Sequence, residues 1–146
     1  MSARSIRIGR TGVVVVSESH QHQYVYTILR VVTDIERGEQ FNAGIVLFSR
    51  PAAFIGARVS CDIEVFNALR GTASLEDVRD RLTLLEAIAH GDIAGGPVAH
   101  LDASERFHFL SAPTSTAIQP SPVHTGVTTD PETTLARLFE RLVLRS

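Results

Sequence analysis

Hydrophobic and polar positions follow one rhythm in the first half of the chain and another in the second. Tyr24 to Thr33 (YVYTILRVVT) is rich in β-branched and aromatic residues and apolar on both faces, as a central strand is. A polar connection from Asp34 to Gln40, containing Gly38, leads to a second apolar run, Phe41 to Phe48. Ser49-Arg50-Pro51 is a tight break, and Ala52 to Val59 reads as a third strand. Links this short predict an antiparallel meander. The period then becomes helical. Asp62 caps a short helix over Ile63, Val65, Phe66 and Leu69, which Gly71 is expected to end. Ser74 with Asp77 resembles a capping box, and Leu75, Val78, Leu82, Leu85 and Ile88 keep helical spacing up to Gly91. Beyond the loop around Gly95-Gly96-Pro97, Asp102 and Glu105 open a brief helical turn carrying Phe107 and Leu110. Thr114 to Gln119 predicts a fourth strand, stopped by Pro120-Ser121-Pro122. Asp130-Pro131-Glu132 is a helix start, followed by the stripe Leu135, Leu138, Phe139, Leu142 and Val143. The pattern predicts one α+β domain over residues 24–146. Its sheet is small and antiparallel, a three-stranded meander plus a later strand, covered by about three helices.

Residues 1–23 read differently. Arg4, Arg7 and Arg10 precede any acid, and Ser5 to Ile8 and Val13 to Val16 flank a glycine-containing turn at Gly9 to Gly12. This extension is either a small hairpin or a disordered tail. An exposed run of four valines is prone to add to a sheet edge, so a homodimer through residues 1–22 is one expectation.

Composition narrows the chemistry. The 146 residues suit one domain with its own core. All 14 basic residues are arginine, which excludes a Walker A loop, a kinase-type phosphate lysine and Schiff-base catalysis. The single cysteine, Cys61, excludes an internal disulfide framework and suits a reducing compartment. Apolar runs are too short to span a membrane and no signal-peptide pattern opens the chain, so a cytoplasmic protein is expected. The formal net charge is −2 and tryptophan is absent. With no helix-turn-helix or aromatic RNA-binding signature either, the expectation is against nucleic acid. Arg137, Arg141 and Arg145 line one side of the last helix and read as a solvated face.

Two polar clusters carry the remaining chemistry. His20 and His22 flank Gln21 and share a face in an extended chain, but two ligands do not make a zinc site, so no metal and no cofactor are expected. His90 suits the C-terminal end of its helix, and His100 and His108 have no evident partner. His124 lies in a stretch with three prolines and several hydroxyls. It could act as general base to Ser121, or the stretch could be a rigid loop whose polar groups satisfy one another. Neither G-x-S-x-G nor H-E-x-x-H is present. The second cluster is Asp34, Glu36, Arg37, Glu39 and Asn42, either a binding loop at the sheet's end or a solvated hairpin turn.

Two segments in order carry a resemblance. Tyr24-Val-Tyr-Thr-Ile-Leu-Arg30, Asp34-Ile-Glu-Arg-Gly-Glu39 and Phe41-Asn-Ala-Gly-Ile-Val-Leu-Phe48 form the first. Phe107 to Leu110, Ala112-Pro113-Thr114-Ser115-Thr116, Gln119-Pro120-Ser121-Pro122-Val123-His124-Thr125-Gly126 and Asp130-Pro131 form the second. Over about residues 24 to 144 the chain resembles the bacterial "domain of unknown function 3037" family. It departs from the family pattern at Val32-Thr33, where a proline is common, and at Thr114, where arginine is expected. The family supplies no mechanism. Its genes often neighbour one for a HipA-like kinase, which implies an accessory or regulatory protein partner.

The residues singled out are thus Arg37, Glu39 and Asn42 in the first signature, and Ser115, Gln119, Ser121 and His124 in the second. Pairing of the second and fourth strands would bring both sets to one end of the sheet. The leading expectation is a small binding or regulatory module acting through a protein partner. The alternatives are a hydrolase or phosphoester-processing enzyme using His124 with a nearby serine, and a purely structural or interaction domain.

Overall fold

The computed structural model describes residues 4–8, 12–16, 21–114 and 116–144. Arg4–Ile8 (β1) and Gly12–Val16 (β2) pair antiparallel, with Arg4 opposite Val16 and Ile8 opposite Gly12, as a sheet of their own. The main sheet has 5 strands: His22–Asp34 (β3), Glu39–Ser49 (β4), Phe54–Val59 (β5), Ile118–Pro120 (β6) and His124–Thr128 (β7). All pairs are antiparallel. The order is β5-β4-β3, and β6 and β7 follow one another along the free side of β3. The predicted meander is β3-β4-β5. The later strand docks on β3, not on β4, which corrects the pairing that would have joined the two signatures at one end.

Alternation along β3 separates two cores. On one face, Val25, Leu29 and Val31 join Phe41, Ala43 and Val46 of β4 and Ala57 of β5. Three helices cover that face: Ile63–Leu69 (α1), Leu75–His90 (α2) and Ala103–Ser111 (α3), through residues such as Phe66, Leu82, Ile88, Phe107 and Leu110. On the other face, Tyr24, Tyr26 and Ile28 of β3 and Ile45 and Leu47 of β4 meet Leu135 and Leu138 of Pro131–Leu142 (α4). A strand buried on both sides has no polar face to keep, hence the apolar run in β4. Its pairing with β3 shifts register twice, at Leu29/Arg30 and at Val32/Asp34, and the first shift is a bulge in β4. Leu29 pairs with Gly44 and Arg30 with Asn42, so Ala43 is extra, and its carbonyl accepts from Ser60 N–H at 2.8 Å.

The helices begin where their capping side chains stand. Asp62 accepts from the N–H of Glu64 and Val65, Ser74 from that of Asp77, and Asp102 from that of Glu105. At α4 the Thr133 hydroxyl, then the Thr133 backbone N–H, hold the Asp130 carboxyl below the usual carboxylate range. This cap contributes above the ordinary carboxylate pKa and is lost as pH falls through the lowered one. The glycine-rich loop holds two short 3-10 turns, Ile93–Gly95 and Pro97–His100. At the β5 edge, the Ala57 N–H donates to His90 Nε2 at 3.2 Å, so a side chain stands where another strand would. No helix among the described residues is long and apolar enough to cross a membrane.

Three expectations shift. The fourth strand is shorter and later than Thr114 to Gln119. The end of the proline-rich stretch, from His124 on, runs into a strand, β7. And α1 ends at Arg70, which adopts the left-handed conformation with φ 53°, rather than at Gly71. Gly71 instead provides clearance, because a Cβ there would run into the backbone carbonyl of Thr33 at the end of β3. Its neighbour Thr72 donates its N–H to that same carbonyl at 3.1 Å. Gly71→Ala should therefore destabilise the fold by about 1–3 kcal/mol in urea unfolding, since rigid backbone rather than a movable side chain stands in the way. An unchanged midpoint would show that this junction can open without cost.

Candidate functional site

The first signature's polar cluster sits on the β3–β4 turn. Asp34 Oδ1 accepts from the Arg37 N–H at 3.1 Å, and Arg37 Nε meets Glu39 Oε2 at 3.0 Å. The Arg37 side chain is 70% exposed, so this ion pair is worth little to stability. Asn42 faces away, and its Nδ2 donates to the Leu142 carbonyl at 2.9 Å, satisfying the end of α4.

The second signature runs along the free side of β3. Pro120 pairs with Leu29, Gln119 with Arg30 and Ile118 with Val31. After an offset at residues 121–123, His124 pairs with Tyr26, Gly126 with Tyr24 and Thr128 with His22. The offset is built around Ser121. Its N–H donates to the Ile28 carbonyl at 2.8 Å, and its Oγ accepts from the Ile28 N–H at 2.9 Å. The same Oγ donates to the Pro122 carbonyl at 2.9 Å, while Thr27 Oγ1 donates to the Ser121 carbonyl at 2.8 Å. The Ser121 hydroxyl thus replaces a backbone group in the ladder. Arg30 adds a clamp, with Nη2 donating to the Pro120 carbonyl at 2.9 Å. Gln119 Nε2 donates to the Thr116 carbonyl at 3.3 Å. Ser115 and His20 lie outside the described residues.

The exposed His124 ring stacks on Tyr26, with centroids 5.0 Å apart at 27°. One pair further along, Gly126 leaves room for the Tyr24 ring, which a Cβ would meet at its hydroxyl end. Both tyrosine rings of the first signature are thus seated on the second. Arg37 is not part of this. Tyr26, opposite His124, and Asp34, at the turn, are eight residues apart on one strand, or about 26 Å. The two candidate clusters therefore do not converge.

An open groove of about 610 Å³ lies where α2 and α3 leave the sheet uncovered. Val25, Phe48, Arg50, Pro51, Thr125 and Val127 line it. Phe48 stacks on Phe107, and the Arg50 guanidinium lies over its ring at 5.7 Å while Nη2 donates to Ser104 Oγ at 2.9 Å. Val123 and Val127 are 46% and 56% exposed. No strand pairs the outer side of β7 among the described residues. Sequence reasoning passes over this groove because its residues come from three separate segments, and the apolar residues that the two signatures contribute, Val25 and Phe48, carry no chemistry of their own.

Among the described residues no group of three His, Cys, Asp or Glu could hold a metal ion. Burial pushes the Cys61 thiol above its ordinary range; Arg79 offsets part of this and Asp62 adds to it.

Two outcomes follow from this geometry. Ser121→Ala should cost about 1–3 kcal/mol in urea unfolding, because it orphans the Ile28 N–H, whereas His124→Ala should cost about 0.5–1.5 kcal/mol. Equal and negligible losses would mean the joint does not need the hydroxyl. Alkylation of Cys61 followed against pH should have its midpoint above that of the urea-unfolded chain, since a raised pKa leaves less thiolate at any given pH. A midpoint at or below the unfolded value would contradict the assignment of burial as the dominant cause.

No curated protein and no solved structure matches the chain. A family model does, across residues 26–143, which takes in the first signature from Tyr26 onward and the whole of the second. On that match, the chain belongs to the family described as protein of unknown function (DUF3037).

Proposed function

We propose that the protein is a small cytoplasmic binding module that acts through a protein partner. The observation that carries this reading is the groove beside β7. It is open along a strand, it joins apolar walls to a strand edge that none of the described strands pairs, and it has a cation, Arg50, at its rim. An extended segment of another protein matches those three features. Backbone hydrogen bonds to β7 would supply affinity, apolar side chains would rest on Val25, Phe48 and Val127, and an acidic residue would meet Arg50. The kinase neighbourhood that the family resemblance implies makes a HipA-like kinase the first partner to look for. The lone cysteine, which suits a reducing compartment, supports the cytoplasmic setting.

The enzyme reading has less to stand on. A serine nucleophile must be reachable and must hand its proton to a base. Ser121 is 7% exposed and donates its proton to the Pro122 carbonyl. A second copy of this chain is the competing occupant of the edge, by strand addition from Val13 to Val16. A monomer by light scattering of the full chain would remove it.

The deciding experiment isolates the tagged full chain from its native host beside the Val127→Asp variant. The expected result is a stoichiometric partner with the parent chain and its loss with the variant, both folded alike by circular dichroism. Recovery of the parent chain alone, or equal recovery of the partner by both, overturns the proposal.

A further inference from the structure

Arg81 lies two turns into α2 and borders two cavities. The larger, about 440 Å³, is bounded among others by Ser74, Asp77, Thr116 and Ala117. The smaller, about 180 Å³, lies between Leu85, Phe109, Leu110, Pro113, Thr114 and Pro120. None of the residues around the smaller cavity lines the groove along β7.

Nε of Arg81 is buried and has no hydrogen-bond partner. Arg106 shares that feature, but its terminal nitrogens are committed to the carbonyls of Leu101 at 3.0 Å and Ala89 at 3.5 Å. Arg81 makes no comparable bond among the described residues. A guanidinium carries a full charge, and with Nε desolvated and without an acceptor the terminal N–H groups are the ones left to receive an anion.

The surroundings select the acceptor. Asp77 borders the larger cavity and not the smaller, so an anion is better received on the smaller side. There Arg81 is the one charged residue of the lining, and the other lining side chains are apolar apart from Thr114. One cation in an apolar niche fits a singly charged, planar group. It does not fit a phosphate, which needs more donors than these walls provide. The ring of Phe109, 42% exposed, stands at the same cavity.

We propose that the cleft between α2, α3 and β6 binds a carboxylate bearing a short apolar group. The carboxylate is taken end-on by the terminal N–H groups of Arg81, whose Nε is sealed off, and the apolar group rests against Leu85, Phe109 and Leu110. A free branched-chain organic acid and the C-terminus of a peptide ending in an aliphatic residue share this chemistry.

Amide NMR of the full chain, titrated with isovalerate, isovaleramide, acetate and inorganic phosphate in turn, tests the proposal. Isovalerate should give saturable shifts around Leu85, Leu110 and Ile118. Isovaleramide and acetate should each bind about tenfold or more weakly, for want of the charge in one and of the apolar group in the other. Arg81→Gln should lose the isovalerate response while its spectrum elsewhere is unchanged, and Arg81→Lys should keep part of it. No saturable response, equal binding of acid and amide, phosphate binding as tightly as isovalerate, or an unaltered response in Arg81→Gln would each overturn the proposal. The acid-against-amide comparison decides the matter on the parent chain even if the variants fold poorly. An acetylated tripeptide ending in leucine then distinguishes the sources: tighter binding than isovalerate assigns a chain terminus, equal or weaker binding a free acid.

Discussion

The joint between Thr27 and Ser121 is the contact on which the rest of the sheet depends. β3 lies in the middle of the sheet, with β4 on one side and the β6–β7 segment on the other. That segment must follow β3 for most of its length, yet two prolines, Pro120 and Pro122, deny it the N–H groups that a regular ladder uses. Ser121, between them, supplies both its own N–H and a hydroxyl that accepts from Ile28, and Thr27 closes the loop from the buried side. Without this exchange, polar backbone at the centre of the sheet would be left unpaired in an apolar setting, which folded proteins rarely tolerate. The prolines and the serine make one device: the prolines enforce the offset and the serine satisfies it.

Uneven coverage of the sheet follows from the same arrangement. α2 and α3 pack over β4, β5 and β6, and α4 packs over β4 and β5, so the end of the sheet formed by β7 has no helix of its own. Its apolar surface is instead covered by side chains acting across the strand pair, His124 on Tyr26 and Tyr24 over Gly126. This seals one face. The opposite face at the same end, with Val25, Phe48 and Val127, is left as the open groove. An edge strand beside exposed valines is a feature that soluble proteins usually blunt, and β5 does so with His90. β7 has no equivalent guard among the described residues, and that contrast between the two edges is the reason for proposing a partner surface here.

Most of the architecture is legible in the chain. β3, β4 and β5 announce themselves through runs of β-branched and aromatic residues, and α2 and α4 through an apolar stripe behind a capping side chain at Ser74 and Asp130. These features are local, so local physics recovers them. β7 is not legible. His-Thr-Gly-Val-Thr has no alternating apolar face, because the apolar atoms that seal its inner side belong to Tyr24 and Tyr26 on the neighbouring strand. Its identity as a strand is a property of the pair. The pairing of β6 with β3 is equally hidden, since hydrophobic pattern fixes which face a strand turns inward but not which neighbour it chooses. Gly71 looks like a helix stop when it is a clearance for Thr33, a reading that needs the third dimension.

The polar residues that stand out in the sequence are mostly spent on building the fold. Ser121, Gln119 and Asn42 bond to backbone, Arg37 pairs with its neighbour in a turn, and Arg30, which no polar cluster of the sequence includes, clamps β6. A residue that satisfies its own chain has little left with which to recognise another molecule. The groups with capacity to spare are ones that the sequence does not single out: Arg50 at the groove and Arg81 within its helix. Arginine on an exposed helix face is unremarkable by spacing alone, and only desolvation of its Nε sets Arg81 apart. In a fold whose shared signatures are devoted to joining strands, recognition is better sought at polar groups left unsatisfied than at the motifs themselves.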